Sequence, residues 1–188
     1  GQETGYFVTW TQNQPPPPPA PTADIKTNGS DGPITVGYGA SVTVSWSSSN
    51  ATSCTATGTR PEWSGPIATS GSSTYNPTRN DTLGISCTGP GGTSPPDSVQ
   101  VNVTGPTADI KANNTGGSML VAYGTPVTIT WSSTNAASCT ATGNRPEWQG
   151  SIPTSGSSGP YNAVTTQTLG VSCTGNGTAT DDVTVNVS

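Results

Sequence analysis

The sequence predicts an all-β protein: two antiparallel β-sandwiches in tandem, each closed by one disulfide, with an extended N-terminal arm. Three observations carry this. First, the chain repeats itself at an offset of 85, so that residues 21–26 and 106–111 both read PTADIK. Residues 40–63 align without a gap to residues 125–148, with 17 of 24 positions identical. Second, apolar residues within each repeat recur at every second position, the period of a half-buried strand. Third, the four cysteines fall two to a repeat.

The strands follow in order. Val42, Val44 and Trp46 alternate with Thr43 and Ser45, and Val127, Ile129 and Trp131 alternate with Thr128 and Thr130. Leu83, Ile85 and Cys87 keep the same period, matched by Leu169, Val171 and Cys173 at offset 86 after one residue is gained near Gly159. Each unit closes alike, Val99, Val101 and Val103 against Val183, Val185 and Val187. Clusters of Gly, Pro, Asn and Ser separate these runs with turn chemistry, and no segment has a helical period. Short alternating strands over about 80–100 residues fit two sheets packed face to face. The expected organisation is an arm and polyproline spacer at 1–20, a first domain at 21–104 and a second at 105–188.

Composition limits function. The 188 residues carry 5 Lys+Arg, 10 Asp+Glu and no His, a net charge of −5 and a pI near 4.2. Charged residues make up 8% of the chain, against about 25% in ordinary domains. Water is held instead by 58 Ser and Thr hydroxyls. No basic stripe exists to meet phosphates and no apolar run reaches the length of a membrane span, so neither a nucleic-acid partner nor a membrane span is expected. Without His, and with Cys better used in bridges, metal ligation, cofactor binding and general-base catalysis lose their usual residues. The three Glu are Glu3, Glu62 and Glu147, with no pairing that suggests glycoside hydrolysis. A non-enzymatic protein with no cofactor and no metal is expected. An Asp181-Asp182 calcium site is disfavoured, since no DxD-rich loop matches it in the first repeat.

An even cysteine count distributed by the repeat points to Cys54 with Cys87 and Cys139 with Cys173; free buried thiols are the alternative, and a zinc site lacks both CxxC and His. Each bridge closes a loop of about 34 residues, which stabilises a small core by roughly 3–4 kcal/mol on a chain-entropy account and implies an oxidising compartment.

Residues 41–58 (SVTVSWSSSNATSCTATG), followed by residues 82–92 (TLGISCTGPGG) and a closing VxVxV strand, resemble the bacterial immunoglobulin-like domains found in tandem on secreted and cell-surface proteins. The resemblance covers residues 21–188 and implies two tandem immunoglobulin-like β-sandwiches. It departs from the antibody pattern: Trp46 and Trp131 stand on the strand where an antibody domain has its first Cys. This implies that the disulfide joins a neighbouring strand to the Leu83 or Leu169 strand. Trp63 and Trp148, between the cysteines, are the other candidates for the core tryptophan, and both kinds can be buried.

Residues 1–11 form one strand-like stretch, too short to fold alone, with Tyr6, Val8 and Trp10 alternating with Phe7 and Thr9. Five prolines at 15–19 follow and favour an extended rod of roughly 15 Å. The expected arrangement is an arm of Tyr6, Phe7, Val8 and Trp10 lent to another copy of the chain, as an added β-strand or in a groove between sandwiches. It is similar to donor-strand pili and to extracellular fibrils of tandem immunoglobulin-like subunits, in which an N-terminal segment threads into the next protomer. A frayed tail or simple spacer is the plainer alternative. The closing strand at the last residues and the absence of a long apolar N-terminal helix fit a polymerising subunit rather than a type IV pilin.

Surface chemistry adds covalent glycans. Asn-x-Ser/Thr sequons occur at Asn28, Asn50, Asn80, Asn102, Asn113, Asn176 and Asn186, although a Thr-rich chain produces many by chance. The repeated Arg60-Pro61-Glu62-Trp63 and Arg145-Pro146-Glu147-Trp148 present two readings. Trp63 and Trp148 offer sugar-stacking platforms of a monomeric adhesion or carbohydrate-binding module, or they close the core while Arg and Glu form a local ion pair. The sequence thus points to an extracellular, secreted or cell-surface filament subunit, with the binding module as alternative.

Overall fold

Thr, Val and Ser dominate the periodic segments, and these residues suit a pleated surface that is apolar on one side and hydroxylated on the other. The computed structural model describes residues 14–188 together with Gly1, Gln2 and Gly5. In the first repeat, β1 (Thr22–Thr27), β3 (Val42–Ser49) and β6 (Gly71–Tyr75) form a three-stranded sheet in the order β1-β3-β6. The facing sheet has the order β2 (Ile34–Val36), β9 (Asp97–Val103), β7 (Asp81–Gly89), β4 (Ser53–Gly58) and β5 (Gly65–Ile67), with β8 (Gly92–Thr93) paired to β7. The second repeat builds the same pair. One sheet is β10 (Asp109–Ala112), β12 (Thr125–Ser132) and β15 (Ser155–Ala163). The other is β11 (Gly117–Val121), β17 (Gly177–Val187), β16 (Gln167–Gly175), β13 (Ala136–Gly143) and β14 (Gly150–Ile152). No helix occurs among the described residues. The fold is all-β, two tandem immunoglobulin-like sandwiches with one disulfide each.

The strands pair antiparallel except β2 with β9 and β11 with β17, which are parallel. The chain therefore opens each repeat in one sheet and crosses to the edge of the other. The residue gained near Gly159 sits in β15 as a bulge: Val127 faces Tyr161, but Ile129 already faces Ser158. The first repeat keeps an unbroken register there, with Val42 opposite Tyr75 and Val44 opposite Ser73.

Cys54 and Cys87 stand directly opposite each other on β4 and β7, their Cα atoms 4.0 Å apart, and Cys139 and Cys173 do the same at 4.1 Å. The close spacing is that of a pair not bonded to each other through the backbone. Indeed the Cys87 N–H donates across the other edge to Ser94 Oγ, and the Cys87 carbonyl accepts from the Ser94 N–H. Each cystine thus staples neighbours within one sheet.

Both tryptophans of each repeat pack between the sheets. Trp46 meets Trp63 edge-on with centroids 5.2 Å apart, and Trp131 meets Trp148 at 5.1 Å. All four indole N–H groups donate to backbone carbonyls, those of Ala68, Gly84, Pro153 and Gly170. The outer indoles lie over glycine. Gly71 pairs with Trp46 and Gly156 with Trp131, and a Cβ at either would stand 2.6 or 2.7 Å from the indole Cζ2. A second cross-sheet bond involves an aspartate: Asp97 Oδ2 accepts from the Ile25 N–H at 2.7 Å, and Asp181 Oδ2 from the Ile110 N–H at 2.8 Å.

Arginine closes the end of each core. The Arg60 guanidinium lies 4.1 Å over the Tyr75 ring, and Arg145 lies 3.7 Å over Tyr161. Burial, reinforced by the charge of Asp81 and opposed by Arg60, pushes the Tyr75 hydroxyl up to about 12, and burial likewise raises Tyr161. The Tyr75 hydroxyl is buried without a hydrogen-bond partner among the described residues.

Two outcomes follow. Gly156→Val forces Trp131 off Trp148 and is expected to cost about 1–3 kcal/mol of stability, read by urea unfolding with the disulfides intact and by near-UV circular dichroism. Tyr75 protonates more tightly when folded, so the stability it contributes is whole below pH 10 and is lost as pH rises from about 10 to about 12. Tyr75→Phe should leave stability near pH 7 within about 1 kcal/mol, because the hydroxyl it removes is unpartnered. It should also make the alkaline decline measurably shallower, and an unchanged slope would contradict the assignment.

Candidate functional site

The arm residues Tyr6, Phe7, Val8 and Trp10 lie outside the described residues. Its root does not. Pro18 and Pro19 rest against the end of the first repeat, where a Cβ on Gly91 would overlap the Pro19 carbonyl oxygen at 2.2 Å. Asn50 Nδ2 donates to the Ala20 carbonyl. The last residues of the spacer thus seat on the first domain. The reason is local: Gly91 has no side chain, so the proline backbone can approach. Pro18, Pro19, Asn50, Ala51, Thr52 and Pro90 together frame a largely apolar recess of about 200 Å³.

The corresponding end of the second repeat is covered by the first. Asn176 Nδ2 donates to the Val103 carbonyl at 2.6 Å and to Asn80 Oδ1 at 3.2 Å. A Cβ on Gly175 would lie 3.4 Å from Tyr38 Cδ2, and a Cβ on Gly37 would lie 2.8 Å from Asn135 Oδ1. This junction brings together the connection before β3, the end of β9 and the β16–β17 turn, and residues 104–108 connect the two repeats.

Trp63 and Trp148 do not form a sugar platform. They are 8% and 6% exposed, with each indole N–H already bonded to a glycine carbonyl, so no aromatic face is left for a pyranose ring. The same turn that draws each tryptophan inward aims its arginine over the tyrosine and pairs it with Glu62 or Glu147 at 3.4 Å. A polar recess of about 420 Å³ beside it holds Arg60, Glu62, Arg79 and Asp81. Its charges are mutually paired, Arg79 Nε lying 3.5 Å from Asp81 Oδ1. Among the described residues no group of three His, Cys, Asp or Glu could hold a metal ion, and no helix is long and apolar enough to cross a membrane.

The sequons divide by what their amides do. Asn176 spends both amide protons on Val103 and Asn80, and Asn186 spends both on Ser118 Oγ and the Met119 carbonyl. Those nitrogens have no proton left to exchange for a sugar without breaking structure. Asn28 and Asn113 are exposed left-handed turn residues, with φ of 48° and 45°, whose Oδ1 atoms accept from the Thr43 and Thr128 N–H groups. Asn50, also left-handed, and Asn80 are exposed, whereas Asn102 is half-buried on β9. Lys26 is held to Asp24 and Asp31, which together push its pKa up to about 12, chiefly through the bond to Asp31.

The Asp97 and Asp181 bonds were not foreseen, although the two aspartates stand at matching positions before Val99 and Val183. Nor was the apolar end described below, which comparison of the repeats could have found.

No protein-family model matches the sequence, and no curated protein matches it. Among solved structures, a titin A168–A169 fragment is 16% identical over 89% of this chain and 98% of its own, with a TM-score of 0.37. The fibronectin(III)-like modules of CbhA from Clostridium thermocellum are 12% identical over 87% and 93%, with a TM-score of 0.29. The four N-terminal Ig domains of Dscam1 isoform 6.9 are 11% identical over 89% and 46%, with a TM-score of 0.35. At this distance the similarity supplies no argument about what the chain does.

Proposed function

We propose that the chain is a non-enzymatic structural subunit of an extracellular, glycosylated filament. In this reading it polymerises head-to-tail as the arm of Tyr6, Phe7, Val8 and Trp10 inserts into a neighbouring protomer. The observation that supports it is the rooting of the polyproline segment: Pro18 to Ala20 are pinned on the outer end of the first repeat, so the residues before them start from an end of the molecule. An aromatic strand leaving from an end is placed to reach a second copy.

Acceptor edges are present. Among the described residues, β6 and β15 each end a three-stranded sheet and pair on one side alone, with β3 and β12. β15 offers nine residues of edge, a length that matches the arm and suits strand addition. A contact between an arm and a different surface is heterologous and extends into an open filament unless its rotation closes a ring. The two disulfides fit an oxidising, extracellular location. Glycans on the exposed sequons at Asn28 and Asn113 would add hydration to a surface with few charges. Burial of Trp63 and Trp148 gives the alternative sugar-binding module no platform at those residues.

The test is electron microscopy of the intact chain beside Phe7→Asp/Trp10→Asp, both from an oxidising host. Filaments are expected from the intact chain and none from the variant, with the thermal unfolding of the two sandwiches unchanged. Ordinary filaments from the variant would remove the arm from the mechanism.

A further inference from the structure

The three large hydrophobic residues most exposed to solvent among those described gather at one end of the second repeat. Leu120 and Tyr123 are 72% exposed and Val164 is 47% exposed. Leu120 is the penultimate residue of β11, Tyr123 lies in the connection to β12, and Val164 follows Ala163, whose carbonyl accepts from the Gly124 N–H beside Tyr123. The chain holds only three leucines, and one of them is spent here on water.

The repeat shows what such an end does. At offset 85 Tyr123 is the counterpart of Tyr38, the residue that lies against Gly175 in the internal junction. The backbone around the two is alike: Thr104 N–H donates to the Val36 carbonyl and Ser188 N–H to that of Val121, while Gly39 bonds Pro77 as Gly124 bonds Ala163. Covered by the second repeat, Tyr38 is half-buried and Val103 is 5% exposed. The second repeat also carries Leu120 and Val164 where the first has Thr35 and Thr78, both exposed.

The other half of the joint is on the same molecule. The end of the second repeat that receives Tyr38 is made of left-handed Asn135, φ 55°, with Gly175 packed on its carbonyl. The outer end of the first repeat has left-handed Asn50, φ 56°, with Gly89 packed on its carbonyl in the same way. Beside it lies the recess framed by Pro18, Pro19, Ala51 and Pro90, apolar and open.

We propose that Leu120, Tyr123 and Val164 of one copy dock on the outer end of the first repeat of the next copy. The contact takes the internal junction's place for Tyr123, in the recess beside Asn50, and extends past that junction's footprint through Leu120 and Val164, whose counterparts Thr35 and Thr78 stay exposed there. The inference rests on the head-to-tail filament reading and adds to it a second, end-to-end contact that is independent of where the arm inserts. The larger apolar residues on this end compensate for what the internal junction has for nothing, the covalent link between its two sides.

The experiment compares the intact chain with Leu120→Glu/Tyr123→Glu and with a control on the exposed mid-sheet face, Thr140→Glu. Both sites of the test variant are exposed, so its melting temperature should match the parent. Its critical concentration for filaments should rise by roughly tenfold or more, as loss of two apolar anchors implies, while the control assembles normally. Equal critical concentrations in all three would overturn the end-to-end contact and leave the arm reading standing. If the intact chain forms no filaments, the filament reading fails, and sedimentation equilibrium of the same proteins then decides the contact. Self-association that Leu120→Glu/Tyr123→Glu abolishes upholds it, and a monomer at every concentration overturns it.

Discussion

Scarcity of aliphatic side chains is the constraint on which the rest of the structure depends. Leu, Ile and Val together number 24 in 188 residues, too few to fill two sandwiches by bulk alone. Each repeat answers with the same devices. A cystine pins two central strands, an edge-on tryptophan pair spans the gap between sheets, and an aspartate reaches across to a backbone amide. Aromatic pairs contribute about 0.5–1.5 kcal/mol beyond the area they bury, and a bond to a charged group contributes more than a neutral one. The indole contact is possible because the partner strand offers glycine at the crossing point. Removing bulk from β6 and β15 is therefore part of filling the core.

The surface follows from the same economy. All five basic residues are paired with acids no more than five positions away, Lys26 with Asp24 and Asp31, Arg60 with Glu62, Arg79 with Asp81, Lys111 with Asp109 and Arg145 with Glu147. What remains outward is hydroxyl and amide. Recognition by such a surface has to come from shape, from sheet edges and from the few large apolar residues left uncovered, which among the described residues sit at one end of the second repeat.

Much of the fold was legible because the repeat writes each feature twice. The period-two runs through Val42 and Val127, the cysteine pairs and the closing valine strands could each be checked against a second copy. The pairing of Trp46 with Trp63 was not legible, because the sequence offered two tryptophans per repeat and no measure of their distance. The Asp97 and Asp181 bonds join residues some seventy positions apart, with nothing local to mark them. The buried state of Trp63 and Trp148 is set by a turn that aims the indole inward, and composition is blind to that. The apolar end at Leu120, Tyr123 and Val164 was visible as differences between the repeats at Thr35 and Thr78, but a search for identity passes over the places where two copies disagree.

The parallel pairing of β2 with β9 and of β11 with β17 has a mechanical meaning. Tension along the chain pulls the start of β2 one way and the end of β9 the other, along the strand axis. The hydrogen bonds between them then share the load and must fail together, whereas a hairpin pulled from its open end unzips one rung at a time. Should a repeat give way, the cystine keeps the 33-position span from Cys54 to Cys87, or the 34 from Cys139 to Cys173, from paying out. Rupture would lengthen a repeat only by the chain outside its cystine loop, so each unit carries a built-in stop.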